Sequence, residues 1–412
     1  MRSVKFIHCA DLHLGSPFKG ISSKNPALGA ALAAATFDAF RNIVDAALQK
    51  KVDFLLIGGD VFDGEDQSLS SRLFLKKELQ RLDNAGIKCF IVCGNHDPLL
   101  SWSKSLSLPE NTVVFESGEP QTHFVERNGE EIAEICGTSF PESKVTANLA
   151  KKFKRQRSDI PAVALLHANI DNDSHMNYAP AKLADLEKSG FDYWALGHVH
   201  SFKILSDINP AVVYPGCSQG TCPRETGEKY CCLVEFKESQ PSVDLIVVDC
   251  IRYAFEEVKI DGINTFEELF ELLNEHCEKT ISLSGSRKTV LRLKLSGGTK
   301  LNRELRDEYD SDELCEHLEN EIDAFGEMLF LNRVEVSTRE VYDVEELKQG
   351  GGFISDLISC SEDLETAELE SELKAVYKKC RQLEQFNDSE LSDIIQSASH
   401  LTLEKLLEDG GR

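Results

Sequence analysis

Five short apolar runs in this chain each end at a cluster of Gly, Asp, Asn or His, and that punctuation narrows the folds open to it. Val4–Cys9 leads into Asp11 and His13, and Asp53–Ile57 into Gly58, Gly59 and Asp60. Lys88–Cys93 leads into Gly94, Asn95 and His96, Ala162–His167 stops on His167, and Tyr193–Leu196 opens onto His198 and His200. Between the first three runs lie the Ala-rich Ala30–Lys50 and the stretch Leu69–Asn84. In the latter, apolar residues at 69, 73, 75, 79 and 82 keep helical spacing. A β-α-β-α-β order of this kind predicts a sheet covered by helices. Further strands are expected at Thr112–Phe115, Glu131–Cys136, Val212–Tyr214, Cys231–Phe236 and Val243–Val248, so residues 1–250 read as one α/β domain.

Each polar cluster falls just past the carboxyl end of a strand, the edge where open α/β sheets bind ligands. Asp11, His13, Asp60, Asn95, His167, His198 and His200 are therefore expected to converge. Carboxylate, imidazole and amide donors without thiolate suit Mn²⁺, Fe²⁺ or Zn²⁺ in a catalytic site, not a structural zinc. A metal pair needs a shared ligand, and Asp60 has two oxygens to offer. Two ions about 3.5–4 Å apart can hold a hydroxide between them and clamp a phosphoryl group for in-line attack. Asn95, His96 and Asp97 are adjacent, and successive side chains fan out, so all three cannot enter one metal sphere. Asp97, before Pro98, suits the tying down of its own turn. His8, His123, His175, His276, His317 and His400 lie outside the pattern and read as core or surface histidines.

Composition bounds the partners. The net charge is −25, of which −19 lies after residue 250. An acidic chain is a poor general binder of nucleic acid, so any phosphate must be held by local positive charge. No stretch nears the ~20 apolar residues of a membrane span, and the start MRSVKFIHCAD is too short an apolar stretch for a signal peptide. Thirteen cysteines then read as reduced thiols in a cytoplasmic protein.

The motif series D-x-H, GD-x-x-D, GNHD, a lone His and GHVH, in this order, resembles the calcineurin-like metallophosphoesterase superfamily. The stretches FIHCADLHLGSPFKG, FDYWALGHVH and YPGCSQG resemble more narrowly the bacterial DNA-repair exonucleases of the SbcD and YhaO kind. The resemblance implies a metallophosphoesterase β-sandwich flanked by helices, with a smaller α+β capping domain and a helical C-terminal tail. It implies two divalent ions, Mn²⁺ foremost. One is held by Asp11, His13, Asp60 and His200, the other by Asp60, Asn95, His167 and His198. It gives His96 the role of general acid to the leaving oxygen, a task for which a His with pKa near ~6.5 is suited. Asp63 is its orienting partner, where some nuclease members carry His.

Residues 251–340 read as the α+β capping domain, with strands Phe255–Ile260, Thr289–Leu295 and Leu329–Ser337 and helices Thr265–Thr280 and Ser311–Ala324. Residues 341–412 read as a linker and helical tail. Gly350-Gly351-Gly352 marks a joint, and amphipathic helices are expected at Glu362–Gln385 and Ser389–Glu408. The tail helices either pack on the chain's own domains or dock a partner; by resemblance that partner is an SMC-like coiled-coil ATPase, and members of the family are often dimers. The basic run Lys151, Lys152, Lys154, Arg155 and Arg157 reads either as a solvated helix face or as a phosphate-backbone contact, Arg292 and Lys294 on one strand face as edge protection or DNA contact, and Arg224 as a further candidate contact. The family has a basic PQGRH-like segment where this chain has Ser218–Arg224. The expected activity is metal-dependent DNA exonuclease in repair. Its rivals are a phosphodiesterase or phosphatase of small nucleotides or phosphoproteins at the same site, and a non-enzymatic scaffold.

Overall fold

The computed structural model describes residues 3–16, 26–64, 68–102, 107–171, 178–207, 209–237, 240–285, 287–307, 311–322, 328–341 and 344–362, with 398, 401–402 and 405–406. In chain order the first part holds strands β1 (Val4–Cys9), β2 (Phe54–Ile57), β3 (Lys88–Ile91), β4 (Thr112–Val114), β5 (Gln121–Arg127) and β6 (Glu130–Thr138). It continues with β7 (Ala162–His167), β8 (Tyr193–Gly197), β9 (Lys203–Ser206), β10 (Ala211–Tyr214), β11 (Tyr230–Lys237) and β12 (Gln240–Val247). Helices α1 (Pro26–Lys50), α2 (Leu69–Asn84) and α3 (Leu183–Glu187) connect them.

The strands form two six-stranded sheets, ordered β12-β11-β1-β2-β3-β4 and β5-β6-β7-β8-β10-β9. β1 to β4 run parallel, as do β6, β7, β8 and β10. The period-2 alternation of strand side chains splits each strand between two cores. Phe6, Phe54, Leu56 and Phe90 face inward and meet Val163, Leu165, Tyr193, Ala195 and Val213 of the other sheet. Ile7, Leu55, Ile57 and Ile91 face outward onto α1 and α2 through Phe40, Ile43, Leu75 and Leu79. Trp194, Leu196, Val212 and Tyr214 pack the outer face of the second sheet beneath Phe140, Phe153 and Leu186. The central strands are buried on both faces, which is why they read as unbroken apolar runs. The result is the expected sandwich flanked by helices.

β5 and β9 are absent from the sequence expectation. Both are sheet edges and carry few buried side chains, so their mixed polar sequence gave no alternation strong enough to read.

Strands β13 (Ile251–Lys259), β14 (Lys288–Thr299) and β15 (Leu329–Glu340) make a third sheet in that order. Helices α4 (Phe266–Leu283), α5 (Asn302–Asp307) and α6 (Ser311–Glu321) accompany it. The chain divides into two compact units, and the division does not fall at one point in sequence. Residues 278–292 and 325–332 group with residues 1–255, so each of the three strands belongs to both units. Tyr253, Val290 and Phe330 pack on Leu28 and Leu32 of α1 within the first unit. Around the triple glycine stand α7 (Val344–Gln349) and α8 (Phe353–Glu362), which contact one another. Gly351 and Gly352 make the turn at φ +66° and +81°. The longer helices expected at 362–385 and 389–408 lie outside the described residues, apart from the few named above.

Candidate metal centre

The parallel pairing of β1 with β2 continues past both strands. Asp11 N–H donates to Gly59 O, His13 N–H to Asp60 O and Leu14 N–H to Val61 O, at 2.9–3.0 Å. These bonds hold the loops in backbone conformations that side chains rarely adopt: φ is +51° at Asp11, +45° at His13 and +49° at Asp60, and His198, whose N–H donates to the Asp11 carboxylate, stands at +103°. Strain of this kind costs about 1–3 kcal/mol per residue and concentrates at functional sites. Gly94 has a plain steric reason to be glycine, since a Cβ there would stand 2.1 Å from Asp60 Oδ1.

All seven expected metal ligands meet at the carboxyl ends of β1, β2, β3, β7 and β8. His13 Nε2 lies 3.2 Å from His200 Nε2. Asn95 Oδ1 lies 3.0 Å from His167 Nε2 and 3.2 Å from His198 Nδ1. Asp60 Oδ2 is 3.5 Å from His167 Nε2, and both Asp11 oxygens accept from His198 N–H. Asp11, His13, Asp60 and His167 are buried, whereas Asn95, His198 and His200 are partly open.

The donor chemistry fits divalent cations. His167 Nδ1–H donates to the Gly58 carbonyl at 2.9 Å, so its Nε2 is an acceptor, and it faces another acceptor in Asn95 Oδ1. His200 Nδ1–H donates to Glu225 Oε1 at 2.5 Å, which turns its Nε2 toward His13. Metal-binding histidines characteristically donate their second ring N–H to a carbonyl or carboxylate in this way. Asp11 and Asp60 are buried with only imidazoles as ion-pair partners among the described residues. Burial alone pushes both carboxyls up. Asp11 stays raised, while His167, His13 and His96 bring Asp60 below its ordinary value. Buried acceptors and anions that face one another this closely form a donor set that a divalent cation would satisfy.

Asp63 Oδ1 stands between two imidazoles, 3.2 Å from His96 Nδ1 and 3.3 Å from His13 Nδ1. Both contacts are ion-pair distances. Ser16 Oγ donates to the other Asp63 oxygen at 2.8 Å. The two imidazoles hold Asp63 far below the usual carboxylate range, and Asp63 in turn raises His96. His96 itself is exposed, the most open of the imidazoles in the cluster among the described residues. Asp97 does more than tie its own turn. Its oxygens accept from Gly94 N–H and from Val61 N–H, both at 2.9 Å, locking the third ligand loop to the second.

Sequence reasoning missed Glu225. It accepts from His200 and from Thr221 N–H at 2.7 Å. Burial pushes the His200 imidazole down, but Glu225, Asp11 and Asp60 outweigh it and hold the pKa at about 9. No local pattern marks this glutamate, since its partner is 25 residues away on another strand end.

The expected phosphate contacts fare differently. The basic run is a short 3₁₀ turn, Ala150–Lys152, followed by extended chain. Lys151 pairs with Asp185 and Lys152 with Glu119. Arg155 donates to the carbonyls of Arg157, Gly190 and Ile160 and pairs with Asp192. Arg157 pairs with Glu131 and Asp159. Four of the five charges are thus matched by acids, and only Lys154 of this run is exposed with no acid partner among the described residues. Arg292 donates to Asn332, Lys294 pairs with Glu257, and Arg224 is exposed beside Glu225.

Comparison with known proteins agrees with this geometry. The calcineurin-like phosphoesterase family model matches residues 4–202, and that of the metallophosphoesterase YhaO middle domain matches residues 253–339. The chain is 35% identical over 280 residues to the uncharacterized metallophosphoesterase YhaO of Bacillus subtilis, spanning 68% of this chain and 69% of that one. It is 26% identical over 286 residues to the DNA double-strand break repair protein Mre11 of Methanocaldococcus jannaschii, spanning 66% and 74%. With the strand-end donors brought together as that fold requires, the chain belongs to the calcineurin-like metallophosphoesterases, among the relatives of YhaO.

Proposed function

We propose that this metallophosphoesterase is a DNA phosphodiesterase, a Mn²⁺-dependent exonuclease serving DNA repair in the cytoplasm. The observation that carries the reading is the division of labour at the site. Buried donors surround a centre, and one exposed imidazole, His96, is oriented by a carboxylate at its rim. The likeness to proteins named for double-strand break repair supports DNA as substrate. In this reading Asp11, His13, Asp60 and His200 hold one divalent ion and Asp60, Asn95, His167 and His198 the other. Bound there, the ions supply Lewis-acid charge to the phosphoryl oxygens and acidify water.

The chain's own residues do the rest. Asp63 occupies His96 Nδ1, so the proton to be delivered sits on Nε2, on the side away from Asp63. Asp63 also raises the pKa of that imidazole, which favours the charged form that a general acid needs before it protonates a departing sugar oxygen. Gly58 O and Glu225 fix the tautomers of His167 and His200. Residues 251–340 act as the capping domain, and the tail, residues 341–412, docks an SMC-like coiled-coil ATPase in a homodimeric assembly. A second reading, hydrolysis of small phosphodiesters, has an observation of its own: four of the five charges of the basic run are already paired with acids.

Linear DNA, cyclic dinucleotides and bis(4-nitrophenyl) phosphate, compared under Mn²⁺, separate the two readings. DNA cleavage is expected, and turnover of the small esters with DNA untouched would refute it. Asp60→Ala should lose metal binding and activity together. His96→Ala should keep its metals and lose about 10²–10⁴ in turnover. An emptied metal site in His96→Ala would overturn the assignment.

A further inference from the structure

The acidic chain needs local positive charge to hold an anionic substrate, and most of the basic side chains expected to supply it are already engaged. Another cation lies much nearer the metal centre. Lys229, at the start of β11, is only 9% exposed. Its ammonium donates to the Thr226 carbonyl at 3.1 Å and forms no ion pair among the described residues. Glu225 is near enough to feel its charge, but that carboxylate is committed to His200 and Thr221. Glu228 is committed to Arg252 at 2.8 Å and to the Tyr230 hydroxyl at 2.9 Å. A nearly buried lysine without a carboxylate partner is uncommon, because the cost of desolvating the charge is not offset.

Lys229 lines a cavity of about 150 Å³ whose wall also includes His200, Ser201, Phe202, Cys217, Tyr230 and the Arg252-paired Glu228. A cavity of about that volume is known to take a molecule as large as benzene, so a phosphate group fits. His200 is common to this cavity and to the metal centre, so the two sites share one residue as a wall. Gly220 leaves room for the lysine stem: a Cβ there would stand 3.4 Å from Lys229 Cε.

We infer that Lys229 and this cavity form a subsite for a second phosphate of the substrate, adjacent to the one cleaved. The inference rests on the phosphodiesterase reading and sharpens it. The site prefers a diester flanked by another phosphate, as in a polynucleotide, to an isolated one. A lysine acts on phosphate as a point charge, which suits a flanking group that must be held without being activated.

The test is inhibition of bis(4-nitrophenyl) phosphate hydrolysis under Mn²⁺ by three thymidine dinucleotides: dTpdT, pdTpdT and dTpdTp. Each competes whether or not it is cleaved. In the wild type, one of the doubly phosphorylated compounds should bind about tenfold more tightly than dTpdT, the strength of one charge-assisted contact. Lys229→Met should bring that ratio close to one, and Lys229→Arg should keep most of it. Equal inhibition by all three compounds in the wild type would overturn the subsite without any variant. A ratio unchanged in a folded Lys229→Met protein would do the same. No wild-type turnover of any ester would instead overturn the parent reading.

Discussion

His8 offers a prediction whose size follows from its surroundings. It lies on β1, fully buried, outside the ligand set. Its Nε2–H donates to Leu196 O at 3.1 Å, and its Nδ1 accepts from the Tyr193 hydroxyl at 3.1 Å. Cys232 is its cross-strand partner on β11. Tyr193 and Cys232 are the titratable groups facing it, and both are fully buried. The neutral ring is therefore satisfied on both sides, and no carboxylate is at hand to welcome a proton. Burial drives the pKa down to about 3, with the Leu196 carbonyl opposing weakly. The unfolded chain restores it to about 6.5. Below pH 6.5 the unfolded state thus binds a proton that the folded state refuses, and stability falls as pH falls. The contribution is fully present above pH 6.5 and is lost progressively down to about pH 3. Between pH 7.5 and pH 5 it amounts to about 2 kcal/mol for this one group.

Urea unfolding in the presence of a chelator measures it. Both tryptophans, Trp102 and Trp194, lie in the first unit, so their fluorescence follows the unfolding of the phosphoesterase unit. Other groups titrate in the same range, and the His8→Gln variant cancels them. Gln can donate to Leu196 O and accept from Tyr193, but it does not titrate. Wild type should lose about 2 kcal/mol more than His8→Gln over the interval. Parallel pH profiles for the two proteins would refute the argument, because they would mean that His8 is protonated in the fold or that the fold opens around it.

Two further outcomes follow from the metal centre. Glu225→Ala frees the His200 ring, so Mn²⁺ affinity by calorimetry should fall about 10–100-fold with the circular dichroism unchanged, and undiminished affinity would remove Glu225 from the site. Gly94→Ala places a methyl group against Asp60 Oδ1 and 2.9 Å from Asp60 N. Overpacking of this kind costs about 1–3 kcal/mol, so thermal unfolding should shift down and metal binding weaken together, and a variant with wild-type affinity would show that Asp60 has room to move.

What was legible in the chain divides by the range of the signal. The ligand loops were legible because their two marks are local: an apolar run buried on both faces, then a polar cluster where the run stops. His96 and Asp63 came through the same loops. Asp63's second partnership, with His13, did not, because sequence order does not tell which imidazoles a carboxylate reaches. Glu225 and Lys229 were invisible for a stronger reason. Each is an ordinary charged residue whose meaning comes from a strand end elsewhere in the fold. The basic run misled in the opposite direction. Five cations in seven residues look like a phosphate track, yet the acids that meet Lys151, Arg155 and Arg157 lie 26 to 37 residues away or hide in ordinary loops. In a chain with 70 acidic and 45 basic residues, an exposed cation finds an acid easily, so clustering in sequence says little about free positive charge. Burial says more. A cation withdrawn from solvent is also withdrawn from most of those acids, and Lys229 keeps its charge for whatever enters its cavity. On the proposed reading, a polyanion would be attracted only where such cations stand, while the surface charge at large would discourage binding anywhere else.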